Sequence, residues 1–100
     1  MNEKELYINA VNLWGKQSQV LMAIEEMGEL LQALSKIQRK ENGCDWDHVI
    51  QEIADVEIMM EELKVVFCVS DEKFKEVKKA KLLKLENAIK MGLQNENKKL

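Results

Sequence analysis

The chain has 100 residues, 46% hydrophobic and 33% charged, with four glycines and no proline. This length predicts one small domain, and abundant Glu, Lys and Leu without proline favour an all-helical fold. No apolar run approaches the ~18 residues of a membrane helix, and the first residues do not resemble a signal peptide, so we expect no membrane partner. Cys44 and Cys68 form no CxxC motif, which predicts free thiols in the cytoplasm.

The net charge of −3 is unevenly divided along the chain. Residues 25–62 hold eleven acids and three bases, a net of −8, whereas residues 73–100 hold nine lysines and three glutamates, a net of +6. This division suits a metal cluster that faces an anionic ligand, or helices of opposite charge that pack together. No aromatic residues interleave with the lysines, so we expect no nucleic-acid partner.

Apolar periodicity predicts four helices within a single domain over residues 1–93, followed by a frayed tail over residues 94–100. Asp45 or Asp47 is expected to cap the third helix, and Ser70 the fourth. The predicted helices run from Glu3 to Gly15, from Gln17 to Lys40, from the Asp45–Asp47 region to Cys68, and from Ser70 to Gly92.

Two pairs of acidic residues lie on helix faces that are otherwise apolar. At about 100° per residue, Glu26 and Glu29 lie about 60° apart on the apolar side of the second helix, and Glu52 and Asp55 do the same on the third. Buried carboxylates must be protonated, paired with cations or bound to metal. Because no Arg or Lys separates the members of either pair, the pattern favours hard divalent cations.

These pairs resemble the MazG-like, all-α nucleoside triphosphate pyrophosphohydrolases, whose pattern is EExxE followed by ExxD. The chain has Glu25-Glu26-Met27-Gly28-Glu29 and then Glu52-Ile53-Ala54-Asp55. The resemblance covers about residues 5–90, with Trp14-Gly15-Lys16-Gln17-Ser18-Gln19 upstream and Glu57-Ile58-Met59-Met60 downstream. Lys81-Leu82-Leu83-Lys84-Leu85 is similar to the family's K-x-x-R-L, with Lys in place of Arg.

The resemblance implies a four-helix bundle-like fold in which the second and third helices carry the metal site. It implies that Glu26, Glu29, Glu52 and Asp55 bind Mg²⁺, or Mn²⁺ in its place. The expected reaction cleaves a nucleoside or deoxynucleoside triphosphate between the α and β phosphates, in house-cleaning or phage nucleotide metabolism. Two alternatives stay open: the same fold acting on phosphoribosyl-ATP, and a non-enzymatic helical oligomer whose acidic pairs meet lysines.

Five further residues are candidates for catalysis or substrate binding. Glu25 either activates water or is a solvated glutamate. Lys81 lies in an apolar stripe of the fourth helix, and it either binds phosphate or extends from that stripe into solvent. Lys84 flanks the stripe and is a second candidate for binding phosphate. The stripe consists of Phe74, Val77, Leu85, Ala88 and Ile89. Gln19 lies one turn before the acidic pair and could contact phosphate or base, and Trp14 either stacks on a base or belongs to the core. The single histidine excludes a di-iron site with two Glu-x-x-His motifs.

The second helix has another apolar flank beside its carboxylates, formed by Val20, Ile24, Met27 and Leu31. A small monomer with helices apolar on two sides would expose hydrophobic patches. We therefore expect a homo-oligomer, a dimer or a dimer of dimers.

Overall fold

A computed structural model describes residues 1–39 and 46–99, with side chains through residue 96. It consists of four helices and, over the described residues, has no strand, which confirms the predicted all-α class. The helices are α1 (Glu3–Trp14), α2 (Lys16–Gln38), α3 (Trp46–Val66) and α4 (Asp71–Lys99). None of them is long and apolar enough to cross a membrane over the described part of the chain.

The chain divides into two compact units, Met1–Cys68 and Val69–Leu100. The first unit contains α1, α2 and α3, and the second contains α4. The single domain predicted over residues 1–93 therefore stays a prediction, because it concerns the arrangement of these units.

In the first unit, α2 and α3 form the main packing pair, and α1 contacts both of them. The buried apolar side chains are mostly small or slender: Val11, Ala23, Ala33, Val49, Met59 and Val66. Ala23 and Ala33 are the buried apolar residues of α2, and small side chains at a helix–helix contact permit a short distance between the helix axes.

Local signals explain where α1 and α2 begin. The Asn2 side chain accepts a hydrogen bond from the Glu5 backbone N–H at 2.9 Å and donates one to Glu5 Oε1 at 3.1 Å. These bonds satisfy the first turn of α1. Gly15 separates α1 from α2 with φ of 91°, a conformation that costs glycine little.

The ends of α3 and α4 differ from the predicted ones. Asp45 lies outside the described residues, so its role as a cap is not described. At the other end, α3 stops at Val66 rather than Cys68, which has a left-handed φ of 54°.

Ser70 Oγ accepts a hydrogen bond from the Lys73 N–H at 3.1 Å, which confirms the predicted cap of α4. The fourth helix continues to Lys99, beyond its predicted end at Gly92, and fraying of residues 94–100 stays a prediction.

Candidate metal centre and adjoining cavity

Packing of α2 against α3 brings carboxylates of both predicted acidic pairs together. Glu26 of α2 and Glu52 and Asp55 of α3 each offer an oxygen, and these oxygens all lie within 4.8 Å of one another. We call these three residues the acidic cluster. Its oxygen donors are of the kind that hard divalent cations bind.

The three residues of the acidic cluster differ in their exposure to solvent. Glu52 is buried, Glu26 is half-buried and Asp55 is exposed to solvent. The Oε2 atoms of Glu26 and Glu52 are both buried without a hydrogen-bond partner. The other oxygen of Glu52 lies 3.9 Å from His48 Nε2. Unsatisfied buried carboxylate oxygens are costly, so the donor set fits a cation that binds between the two helices.

Glu29 is exposed and lies outside the acidic cluster, although it interacts with one of its members. Burial raises the pKa of Glu26, and repulsion from Glu29, Asp55 and Glu52 raises it further. Hydrogen bonding between the Glu26 and Glu29 carboxyls, which requires a proton on one of them, raises the pKa of Glu26 further. Glu29 is thus close enough to join a cation site, and its role as a ligand stays a prediction.

A cavity of about 200 Å³ adjoins the acidic cluster and is shared by all three helices of the first unit. Gln19 and Trp14, both predicted to bind substrate, line it together with Glu26 and Asp55. Gln19 is buried, whereas Trp14 is 61% exposed and is not part of the core. The remaining lining side chains are Met22, Ile58, Met59 and Glu62. The cavity therefore combines an apolar wall with polar groups beside the carboxylates.

Glu25 lines a different, more open cavity of about 660 Å³ at the junction of α1 and α2. Trp14 and Met22 line both cavities, so the two spaces are neighbours. The Glu25 side chain is exposed. This position is compatible with either of its predicted roles, as a group that activates water or as a solvated glutamate.

Sequence reasoning missed Glu62 of α3. Glu62 is only 6% exposed, its Oε2 has no hydrogen-bond partner, and burial raises its pKa. Glu62 follows Asp55 by seven residues, or about two helical turns, so both lie on nearly the same face of α3. That spacing was available from the sequence and could have identified Glu62 as a third acidic residue directed at this region.

Lys81 and Lys84 are exposed side chains of α4, in the second unit. The apolar residues that were expected to form a stripe around Lys81 are also exposed, among them Val77, Leu85 and Ile89. Phosphate binding by these two lysines stays a prediction.

Comparison of the chain with protein-family models, curated proteins and solved structures gives no match. The resemblance to the MazG-like family therefore rests on the motif residues described above.

Proposed function

We propose that this protein is a Mg²⁺-dependent nucleoside triphosphate pyrophosphohydrolase of the MazG-like type, with Mn²⁺ as an alternative ion. The observation that carries this proposal is the acidic cluster, in which two helices contribute carboxylate oxygens within 4.8 Å of one another. Two of its oxygens are buried without a partner, and a small cavity adjoins it. This combination fits a phosphate ligand bound through a cation, with the organic part of the ligand beside it.

In this proposal Glu26, Glu52 and Asp55 hold the ion, and Glu29 completes the ligand set from α2. Divalent ions at such a site neutralise triphosphate charge and favour attack by water at the phosphorus. Glu25 activates that water, which attacks the α phosphate and releases a monophosphate and pyrophosphate. Gln19 and Trp14 position the nucleotide, and Lys81 and Lys84 bind phosphate.

Self-association belongs to the same proposal. Large apolar side chains are exposed on α2 and α3, including Ile24, Leu31 and Ile50. An oligomer, a dimer or a dimer of dimers, would remove such side chains from water. The exposed free thiol of Cys68 is compatible with a reducing, cytoplasmic environment.

The decisive experiment combines metal titration with a substrate panel. We expect calorimetry to detect Mg²⁺ or Mn²⁺ binding, and pyrophosphate detection to reveal turnover of at least one nucleoside triphosphate. Glu52→Gln should weaken metal binding at least about tenfold, since even residues that only support metal ligands contribute that much. Glu57→Gln is the matched control, because Glu57 is exposed on the same helix and lies outside the acidic cluster.

Each alternative predicts a different outcome of this experiment. Metal binding with activity only on phosphoribosyl-ATP would support the proposed metal site but would identify a different substrate. A chain that binds neither ion would be the non-enzymatic helical oligomer, and the proposed activity would be rejected.

A further inference from the structure

The outer face of α3 lies on the side of that helix away from its buried residues, and it changes from apolar to acidic along the chain. It consists of Ile50, Ile53, Glu57 and Glu61, which at 100° per residue lie within a sector of about 80°. Ile50 and Ile53 are 62% and 49% exposed, and Glu57 is exposed as well. Glu61 is half-buried and pairs with Lys64 Nζ at 2.8 Å. This face therefore offers a partner an apolar half and an acidic half.

The aliphatic face of α4 begins with a lysine and continues with three large aliphatic residues. It consists of Lys78, Leu82, Leu85 and Ile89, which lie within a sector of about 60°. The three aliphatic residues are 54–56% exposed, and Lys78 is exposed. Lys81 and Lys84 lie to one side of this face. Most of the stability of a protein helix comes from packing of its apolar face, so α4 requires a partner there.

The ends of the two faces match when the helices run antiparallel. Ile50 and Glu61 are eleven residues apart on α3, as are Lys78 and Ile89 on α4, and both separations correspond to about 16.5 Å along a helix. An antiparallel pair therefore places Ile89 opposite Ile50 and, at the other end, Lys78 opposite Glu61. A parallel pair in the same register places Lys78 against Ile50 and Ile89 against Glu61, so it mismatches both ends.

The inner positions also favour the antiparallel arrangement. Leu85 then lies opposite Ile53, which continues the apolar half of the contact. Leu82 lies level with Glu57, and the long side chain of Lys78 is one turn away from that glutamate. Burial of the aliphatic side chains favours association, whereas the charges at one end of the contact determine its direction more than its strength.

We propose that α3 of one copy of this chain packs antiparallel against α4 of a second copy, through the outer face of α3 and the aliphatic face of α4. Each copy presents both faces, so a two-fold symmetric dimer forms this contact twice. The charges of the two units agree with such a contact. Residues 1–68 hold thirteen acids and six bases, a net of −7, and residues 69–100 hold five acids and nine lysines, a net of +4.

This inference rests on the self-association within the proposed function, and it names the surfaces that carry it. The apolar flank of α2 takes no part in the contact and is available for a second interface. Neither the acidic cluster nor turnover is required for the contact to form.

The test is disulfide cross-linking between two proteins that each carry one cysteine. In a background with Cys44→Ser and Cys68→Ser, one protein carries Ile50→Cys and the other carries Ile89→Cys. We expect oxidation of the mixture to give a covalent dimer on a non-reducing gel, and oxidation of either protein alone to give none, because the contact joins unlike helices. Asn87→Cys is the matched control for Ile89→Cys. Asn87 is exposed on the opposite side of α4, so this variant should not cross-link to Ile50→Cys.

The charged end of the contact provides a second measurement. Lys78→Glu should weaken dimerisation several-fold in a dilution series followed by light scattering, because it places a glutamate against Glu61. Lys79→Glu makes the same change of charge at an exposed position outside the aliphatic face, and it should leave dimerisation near the wild-type level.

A mixture that forms no cross-link would overturn the inference, as would equal cross-linking of the Asn87→Cys control or of either protein alone. A disulfide within one molecule of the Ile50→Cys/Ile89→Cys double variant would show that α4 covers α3 of its own chain, which also rejects it. Cross-linking of Ile50→Cys to Lys78→Cys in place of Ile89→Cys would reject the antiparallel arrangement. Equal effects of Lys78→Glu and Lys79→Glu would reject the charged contact.

These outcomes separate the inference from the proposed function. A stable dimer without this contact would reject only the inference, and a cross-linked dimer without triphosphate turnover would reject only the proposed activity. A wild-type monomer would reject both the contact and the proposed self-association.

Discussion

Glu26 on α2 and Glu52 on α3 each bury one carboxylate oxygen that has no hydrogen-bond partner, and each also supplies an oxygen to the acidic cluster. Two like charges at such a distance oppose the packing of α2 against α3 until a proton or a cation reduces the repulsion. The metal-free protein should therefore be less stable than its helix packing alone would allow.

The first prediction concerns the pH dependence of stability in metal-free buffer. Burial and the facing carboxylates Glu29, Asp55 and Glu52 raise the folded-state pKa of Glu26 above its ordinary value of 4.5. Between these two values the folded state binds more protons than the unfolded state, so the free energy of unfolding falls as pH rises. Above the folded-state pKa the full destabilisation persists. Burial raises the pKa of Glu62 in the same direction.

Urea unfolding with a chelator, repeated from about pH 4.5 upward, measures this dependence. Glu26→Gln should make the decline shallower and raise stability at neutral pH. Glu57→Gln should preserve the wild-type slope. A wild-type stability that increases with pH across this range would show that the carboxylates are not in the repulsive arrangement described here.

Saturating Mg²⁺ or Mn²⁺ should reverse this destabilisation, which is the second prediction. A ligand that binds only the folded state at about 100 times its dissociation constant stabilises it by about 2.7 kcal/mol. Thermal unfolding should therefore shift upward by several degrees in the wild type, and far less in Glu52→Gln. An equal shift of the unfolding temperature in the wild type and in Glu52→Gln would show that the ion binds outside the acidic cluster.

The third prediction tests Glu29, which lies next to Glu26 but outside the cluster. If Glu29 completes the ligand set when the ion binds, Glu29→Gln should weaken Mg²⁺ binding at least about tenfold and abolish turnover. Because the substitution also removes a charge near Glu26, stability in metal-free buffer should rise. Gln32→Glu is the control, because it adds a negative charge instead of removing one. The added charge lies at an exposed position about one turn further along α2. Full activity in Glu29→Gln would remove Glu29 from the metal site.

The helical periodicity was sufficient to predict the acidic cluster because Glu26, Glu52 and Asp55 lie within apolar sectors of α2 and α3. Periodicity also places Glu62 on the same face of α3 as Asp55, but among fourteen glutamates it does not show that Glu62 is buried, because that burial depends on how the three helices pack. The end of α4 was missed for a local reason. Gly92 costs a helix about 1 kcal/mol relative to alanine, and the helix formers around it outweigh that cost.

The fourth prediction concerns α4. If Lys81 binds phosphate, Lys81→Met should retain the fold and Mg²⁺ binding but weaken triphosphate binding, because methionine preserves an apolar stem and removes the charge. Lys79→Met, an exposed lysine on the same helix, is the control. Calorimetry with the preferred triphosphate measures the difference. Unchanged affinity with reduced stability would make Lys81 a structural residue.

The last prediction concerns self-association through the second apolar flank of α2. Ile24 and Leu31 are 58% and 68% exposed, and they lie two turns apart on one face of the helix. Burying two such side chains contributes about 1.5–3 kcal/mol each, so a charge at this position should weaken an interface that uses them. We expect light scattering to detect a dimer or tetramer for the wild type at micromolar concentration, and a shift toward monomer for Leu31→Lys. Gln32→Lys adds the same charge at the neighbouring exposed position and should keep the wild-type assembly. A wild-type monomer would reject self-association, whereas an oligomer unaffected by Leu31→Lys would assign the interface to a different surface.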